Sequence, residues 1–249
     1  MSDQSRIEWT DATWNPVTGC SPVSAGCRNC YALRMARRLQ AMGKPAYARG
    51  FEVAEHPRAL EVPFSWRQPR MVFVCSMGDL FHERVSDYFI RQVFDVIVGA
   101  EQHTFQILTK RPERAARLAP ALPWPQNLWL GTSVELSAHR ARLSSLCECA
   151  ARVLFVSLEP LLGPVDLRPW LRRGRRNLLD WVIVGGETGP GRRPMDPEWP
   201  RLVRDQCAAA RLPFFFKRWG HLPSWDPRAH EIDGVTYHEL PRPHGTSDR

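Results

Sequence analysis

The chain has 249 residues, 43% of them hydrophobic and 24% charged, with a formal net charge of +8. That apolar content supports one globular domain over 1–249 with a sizeable core, and it argues against a disordered polyelectrolyte. No apolar run is long enough to span a bilayer, and the polar start from Met1 to Arg6 lacks the apolar stretch of an export signal. The expectation is therefore a cytoplasmic protein with no membrane span. Its seven cysteines would be free or metal-bound, not paired in a disulfide framework. The basic balance favours acidic partners, nucleic acid first; a basic surface kept soluble by its charge accounts for it equally well.

Taken in order, residues 1–12 read as a polar lead-in holding Ile7 and Trp9, and Thr13–Val17 as a short first strand. Tyr31 to about Met42 reads as a helix stopped by Gly43. Residues 44–70, broken by Pro45, Pro57, Pro63 and Pro69, read as an irregular insertion, a connector more than a lid. A regular alternation follows. Apolar runs of strand length lie at 71–75, 104–108, 128–131, 152–156, 181–185 and 213–217, and helical spacing at 86–99, 112–118, 137–147 and 197–210. Short apolar strands alternating with helices predict parallel βαβ units, hence an α/β fold: a (β/α) TIM-type barrel or partial barrel. Residues 222–249 read as a partly ordered tail.

Chemistry on such a fold gathers at the C-terminal ends of the strands. There the sequence places Ser76 and Asp79, Lys110 and Arg111, Ser133 and Glu135, Glu159, and Glu187, and all are expected to face one cavity. At the same rim, after the first strand, lies Cys20-Ser-Pro-Val-Ser-Ala-Gly-Cys27-Arg-Asn-Cys30. Three thiolates on a short loop suit a metal or an iron–sulfur cluster with one open position, since a structural zinc wants four protein ligands. Cys75 or His82 would be the fourth ligand if the metal were zinc. A cysteine loop without any ligand is the plainest alternative.

Asn15-Pro16-x-x-Gly19-Cys20 followed by Gly26-Cys27-x-x-Cys30-Tyr31-Ala32 resembles the cluster loop of radical S-adenosylmethionine (SAM) enzymes, nearest to the spore photoproduct lyase-like branch. The first gap has six residues where that pattern has three, and Asn29 stands where an aromatic is usual. Over nearly the whole chain the sequence is similar to the phage Gp37/Gp68-like family (DUF5131). The similarity rests on Ile7–Pro16, Asp79-Leu-Phe-His82-Glu83, Leu158-Glu159-Pro160-Leu161 and Phe214–Gly220. The resemblance implies a [4Fe–4S] cluster on Cys20, Cys27 and Cys30, with SAM on the remaining iron and a flavodoxin or ferredoxin as electron donor. It puts the SAM amino group near Ser76 and Asp79, the ribose near Ser133 and Glu135, and the carboxylate near Lys110 or Arg111, with Glu159 at the same rim. Asp79 and Glu135 have ordinary helix-start readings as well. The branch resembled makes nucleic acid the first substrate to consider. A zinc-bearing nucleic-acid protein and a barrel without its cluster are the other classes.

Cys75 reads first as a core thiol, with hydrogen-atom donor or metal ligand as alternatives. Gly185-Gly-Glu187-Thr-Gly-Pro-Gly-Arg-Arg193 lacks nucleotide-loop spacing and reads as a tight turn presenting Glu187, the second catalytic candidate beside Cys75. Cys147, Cys149 and Cys207 read as structural thiols. The run Arg168–Arg176, with Trp170 inside it, reads as a solvated connector more than a phosphate-binding strip.

Overall fold

The computed structural model describes residue 5, residues 7–171 and residues 178–241. Most of the basic run, 172–176, lies outside the described residues, as do 242–249 of the expected tail and most of Met1–Arg6. The fold is α/β, with the seven parallel strands and intervening helices of a partial barrel. Contacts divide the chain into two compact units, residues 1–133 with 141–152, and residues 134–140 with 153–249.

The first unit holds β1 (Ala12–Trp14), β2 (Val17–Thr18), α1 (Tyr31–Ala41), β3 (Ala54–Glu55), β4 (Met71–Val74), α2 (Asp87–Gly99), β5 (Thr104–Thr109), α3 (Pro112–Leu118), β6 (Leu128–Ser133) and α4 (Ala141–Leu146). Parallel pairing runs β1–β4–β5–β6, with Trp14 opposite Val74, Val74 opposite Ile107 and Ile107 opposite Leu130. The helices begin where their chemistry directs. The Ser86 hydroxyl accepts from Phe89 N (3.2 Å) to cap α2. Pro112, whose fixed φ suits a first turn, opens α3. Trp14, Phe81, Phe94 and Phe105 are fully buried, and each contributes about 1.5–3 kcal/mol by leaving water.

The second unit holds β7 (Val153–Leu158), α5 (Arg168–Leu171), β8 (Trp181–Gly185), α6 (Glu198–Ala210), β9 (Phe214–Arg218) and a small hairpin of β10 (Glu231–Ile232) and β11 (Val235–Thr236). β7, β8 and β9 pair in parallel, with Phe155 opposite Trp181 and Ile183 opposite Phe215. Every residue of β7 and β8 is buried, as expected of parallel strands covered on both faces. The hairpin occupies part of the stretch read as a tail.

The six later apolar runs are thus parallel strands, each within its own unit. Two elements differ from the sequence reading. The expected first strand over 13–17 breaks after Trp14, because Pro16 offers no N–H to a ladder. β1 pairs with β4, and β2 pairs antiparallel with β3 of the insertion. The helix expected over 137–147 is a 3₁₀ turn at Ser137–His139 followed by α4, and Arg140 Nε bonds the Ser137 carbonyl (3.1 Å) between them.

Candidate metal and cofactor site

In the first unit the cysteine loop leaves β2 beside the ends of β4 and β5. Its entry is fixed by backbone. Gly19 takes φ +84°, and a Cβ there would lie 2.0 Å from the Glu52 carbonyl oxygen, so only glycine fits. Gly19 N donates to Met77 O (2.9 Å) and Cys20 N to Phe51 O (3.3 Å), so the insertion braces the loop from one side. On the other side Asn15 Oδ1 accepts from Ser76 Oγ (3.2 Å) and Met77 N (3.0 Å). Beyond Cys30, Tyr31 donates its hydroxyl proton to the Ser76 carbonyl. Ala32 and Ala36 of α1 pack on Met77 together with Cys30 and Phe51.

Arg111 is the hub. Its Nε donates to Glu83 Oε2 (2.9 Å), one terminal nitrogen to Asp79 Oδ2 (3.1 Å) and Cys20 Sγ (3.5 Å), and the other to Ser21 O (3.2 Å) and Ser21 Oγ (3.0 Å). A guanidinium carries five N–H donors, and all five are used. Asp79 is as fully engaged. Its carboxylate accepts from Thr109 Oγ1 (2.7 Å), Lys110 N (3.1 Å), Phe81 N (3.0 Å) and Arg111. Asp79 is 5% and Arg111 8% exposed, so the pair is held away from water with its hydrogen-bonding capacity filled, the condition under which a buried ion pair is tolerated.

His82 completes the clamp. Its Nδ1 accepts from Arg84 N (3.1 Å), so the ring proton sits on Nε2, which donates to Ser21 Oγ (2.8 Å). Burial, and next the Arg111 charge, lower the His82 pKa and keep the ring neutral. Ser21 Oγ in turn reaches Glu83 Oε1 (3.4 Å). The histidine therefore positions Ser21 and has no lone pair left for a metal.

The cysteines differ among themselves. Burial and then Asp79 push the Cys20 thiol up to about 11, with Arg111 pulling the other way. Cys27 and Cys30 are half-buried, and the Ser24 hydroxyl lies 3.8 Å from Cys27 Sγ. The three sulfurs do not all approach within 4.8 Å of one another. Cys75, at the end of β4 with φ 64°, is buried, and burial pushes its thiol up to about 12.

In the second unit each strand-end carboxylate has a basic side chain beside it. Glu135, fully buried, lies 3.1 Å from His139 Nδ1. Glu159 Oε1 accepts from Lys217 Nζ (2.6 Å). Glu187 accepts from Arg193 through its backbone N (2.9 Å), Nε (2.9 Å) and a terminal nitrogen (2.5 Å).

A family model described as "Protein of unknown function (DUF5131)" matches residues 4–241. The chain belongs to the DUF5131 family. No curated protein matches. Among solved structures, this DUF5131 chain is similar to spore photoproduct lyase complexed with dinucleoside spore photoproduct, at 12% identity and TM-score 0.46, covering 79% of this chain and 60% of that one. It is also similar to a double mutant of that lyase with bound AdoMet and the same photoproduct, at 11% identity and TM-score 0.41, covering 80% and 62%. The chain thus spans about three fifths of the length of these structures.

Of the residues expected at the site, the DUF5131 chain joins Cys20, Asp79 and Arg111 in one network, with Lys110 attached through its backbone, while the Ser76 hydroxyl bonds Asn15. Ser133 is buried, and its carbonyl accepts from Arg142 (2.9 Å). Glu135, Glu159 and Glu187 belong to the second unit. Sequence reasoning missed Ser21, Asn15 and Thr109. Asn15 stands in a motif that hinted at it; Ser21 carried no signal beyond lying next to Cys20.

Proposed function

We propose that Cys20, Cys27 and Cys30 hold a [4Fe–4S] cluster with one iron left for SAM, and that the protein is a radical SAM enzyme. The observation that carries this reading is the donor set. It consists of three free thiols on one braced loop, with the two candidate fourth ligands spoken for. Cys75 lies buried at the end of β4, outside the loop, and both His82 nitrogens are engaged. When bound, the cluster would supply the single electron that cleaves SAM to methionine and a deoxyadenosyl radical.

The chain's own part is holding and orienting. Arg111 directs an N–H at Cys20 Sγ and stabilises negative charge on that sulfur. Asp79 aims Arg111, and the neutral His82 fixes Ser21 beside it. Lys110, Ser133, Ser76, Glu135 and Glu159 remain the SAM-contact candidates, with Glu187 and Cys75 the candidates for substrate chemistry. Among these, Lys217 neutralises Glu159 and Arg193 neutralises Glu187. The seven free thiols favour a reducing, cytoplasmic setting and an electron donor of the flavodoxin or ferredoxin class. Among the described residues no helix is long and apolar enough to cross a membrane. The net charge of +8 favours a nucleic-acid substrate.

The test is anaerobic purification with iron and sulfide, followed by absorbance, iron and sulfide analysis, and a SAM-cleavage assay. A brown protein that releases deoxyadenosine from SAM under a strong reductant is the expected result. A colourless protein carrying stoichiometric zinc would replace this reading with the zinc one.

A further inference from the structure

In the second unit, past the ends of β8 and β9, lies a cavity of about 360 Å³ lined by Gly191, Arg192, Arg193, Pro194, Trp219 and His221. The volume lies within the range of small-ligand sites. Its lining combines two arginines, a tryptophan and a histidine and, among the described residues, no carboxylate.

The walls are fixed. Two loops cross so closely that a Cβ on Gly186 would lie 2.0 Å from the Trp219 carbonyl oxygen, and one on Gly220 2.2 Å from that of Glu187. Trp219 N donates to Ala229 O (2.9 Å) and its indole N–H to Glu231 O (2.8 Å), while Phe216 packs edge-on against the ring at 5.0 Å. The indole is thus locked before any ligand arrives. Glu187 grips Arg193 through backbone and side chain, which neutralises that guanidinium and pins the backbone next to Arg192. Arg192 is exposed, and its backbone N bonds Gly189 O (3.3 Å) between two positive-φ glycines, Gly189 and Gly191. Further along the same chain segment Trp225 stands 82% exposed.

We propose that this pocket binds one nucleotide of a single-stranded nucleic acid, its phosphate on Arg192 and its base against Trp219 and His221. A rigid aromatic platform beside an exposed arginine is the arrangement that tracks a single strand, because every base has a π-face and every linkage a charge. A duplex hides its base faces. The net charge of +8 supplies the matching long-range attraction. The proposal deepens the nucleic-acid part of the reading above but needs neither cluster nor SAM.

The test is fluorescence anisotropy of a labelled single-stranded oligonucleotide of about twelve residues, titrated with the full-length protein prepared without iron. Cluster chemistry and strand binding then fail or succeed separately. Wild type should bind, more weakly as salt rises, and a duplex of the same sequence should bind less well. Arg192→Ala should weaken binding about tenfold and lower the salt dependence by about one released ion. Trp219→Ala should cost roughly fivefold to a hundredfold, and His221→Ala, at an exposed position where folding is not at risk, should weaken binding as well. Overturning results would be no binding at low salt, Arg192→Ala and His221→Ala indistinguishable from wild type, or a duplex bound as well as the single strand. A free mononucleotide that competes as tightly as the oligonucleotide would overturn the nucleic-acid assignment in favour of a small-molecule site.

Discussion

The cysteine loop of the first unit and the glycine-rich turn of the second are both strand-end loops, yet they are held by opposite means. The cysteine loop is held by buried charge: Arg111 spends five donors on Cys20, Ser21, Asp79 and Glu83, and His82 adds a sixth bond to Ser21. The turn at Gly185–Arg193 is held by shape, with Gly186 and Gly220 letting two backbones cross where no side chain fits. Its charged pair Glu187–Arg193, like the neighbouring Glu159–Lys217 pair, is more open to water than Arg111–Asp79. A loop organised around a buried guanidinium is fixed by a charge as well as by its backbone. A loop meant to wall a pocket needs only a position.

The largest effect should come from removing the hub. Arg111→Ala leaves the Asp79 carboxylate buried without its cation and should destabilise the protein by about 3–5 kcal/mol in urea unfolding. Arg111→Lys should recover only a minor part, since one ammonium cannot serve four residues on two segments. Recovery by lysine to wild-type stability would show that charge alone matters there. Next come the crossing glycines. Gly186→Ala should cost about 1–3 kcal/mol or more through overpacking against Trp219, and Gly19→Ala the same against Glu52. If Gly186→Ala melted with wild type, the shape-held description of the second loop would fail.

A smaller effect concerns pH. His82 and His56 both have pKa values lowered from 6.5, chiefly by burial. The unfolded chain therefore binds more protons than the folded one just below that pH. Stability should be complete above about 6.5 and decline as pH falls towards the lowered folded values. His82→Gln should flatten that decline, and an unchanged slope would remove His82 as its source. The smallest effect belongs to Asp233, whose pKa its partners Arg201 and Arg204 bring down to about 2. This clamp contributes above the ordinary carboxylate range and fades as pH falls towards 2. Being exposed, it should also fade with added salt, so Asp233→Asn should shift the urea midpoint at low salt and scarcely at high salt.

The strands were legible because parallel strands buried on both faces must be continuous apolar runs, and Trp181–Gly185 matches its run residue for residue. Pro112 and Gly43 likewise marked their helix boundaries correctly. The β2–β3 pairing was not legible, since two-residue strands in a proline-rich stretch have no period to read. At the site, residue types were easier to read than roles. Asp79 and Arg111 stood out as strand-end charges, but a sequence cannot say that their bonds are spent on each other and on Ser21. The motif Asp79-Leu-Phe-His82-Glu83 was visible as a resemblance. Its physical content, three polar residues converging on the loop around Cys20 through Arg111 and Ser21, required the fold.

The central claim is that Cys20, Cys27 and Cys30 act together as the ligand set while Cys75 does not. The direct measurement is iron and acid-labile sulfide per chain in anaerobically reconstituted Cys20→Ala, Cys27→Ala, Cys30→Ala and Cys75→Ala proteins, with SAM cleavage assayed on the same samples. Each of the first three should lose both cluster and cleavage, and Cys75→Ala should keep its iron. Iron and cleavage retained after Cys20→Ala, or iron lost with Cys75→Ala in a protein that still folds, would contradict the assignment.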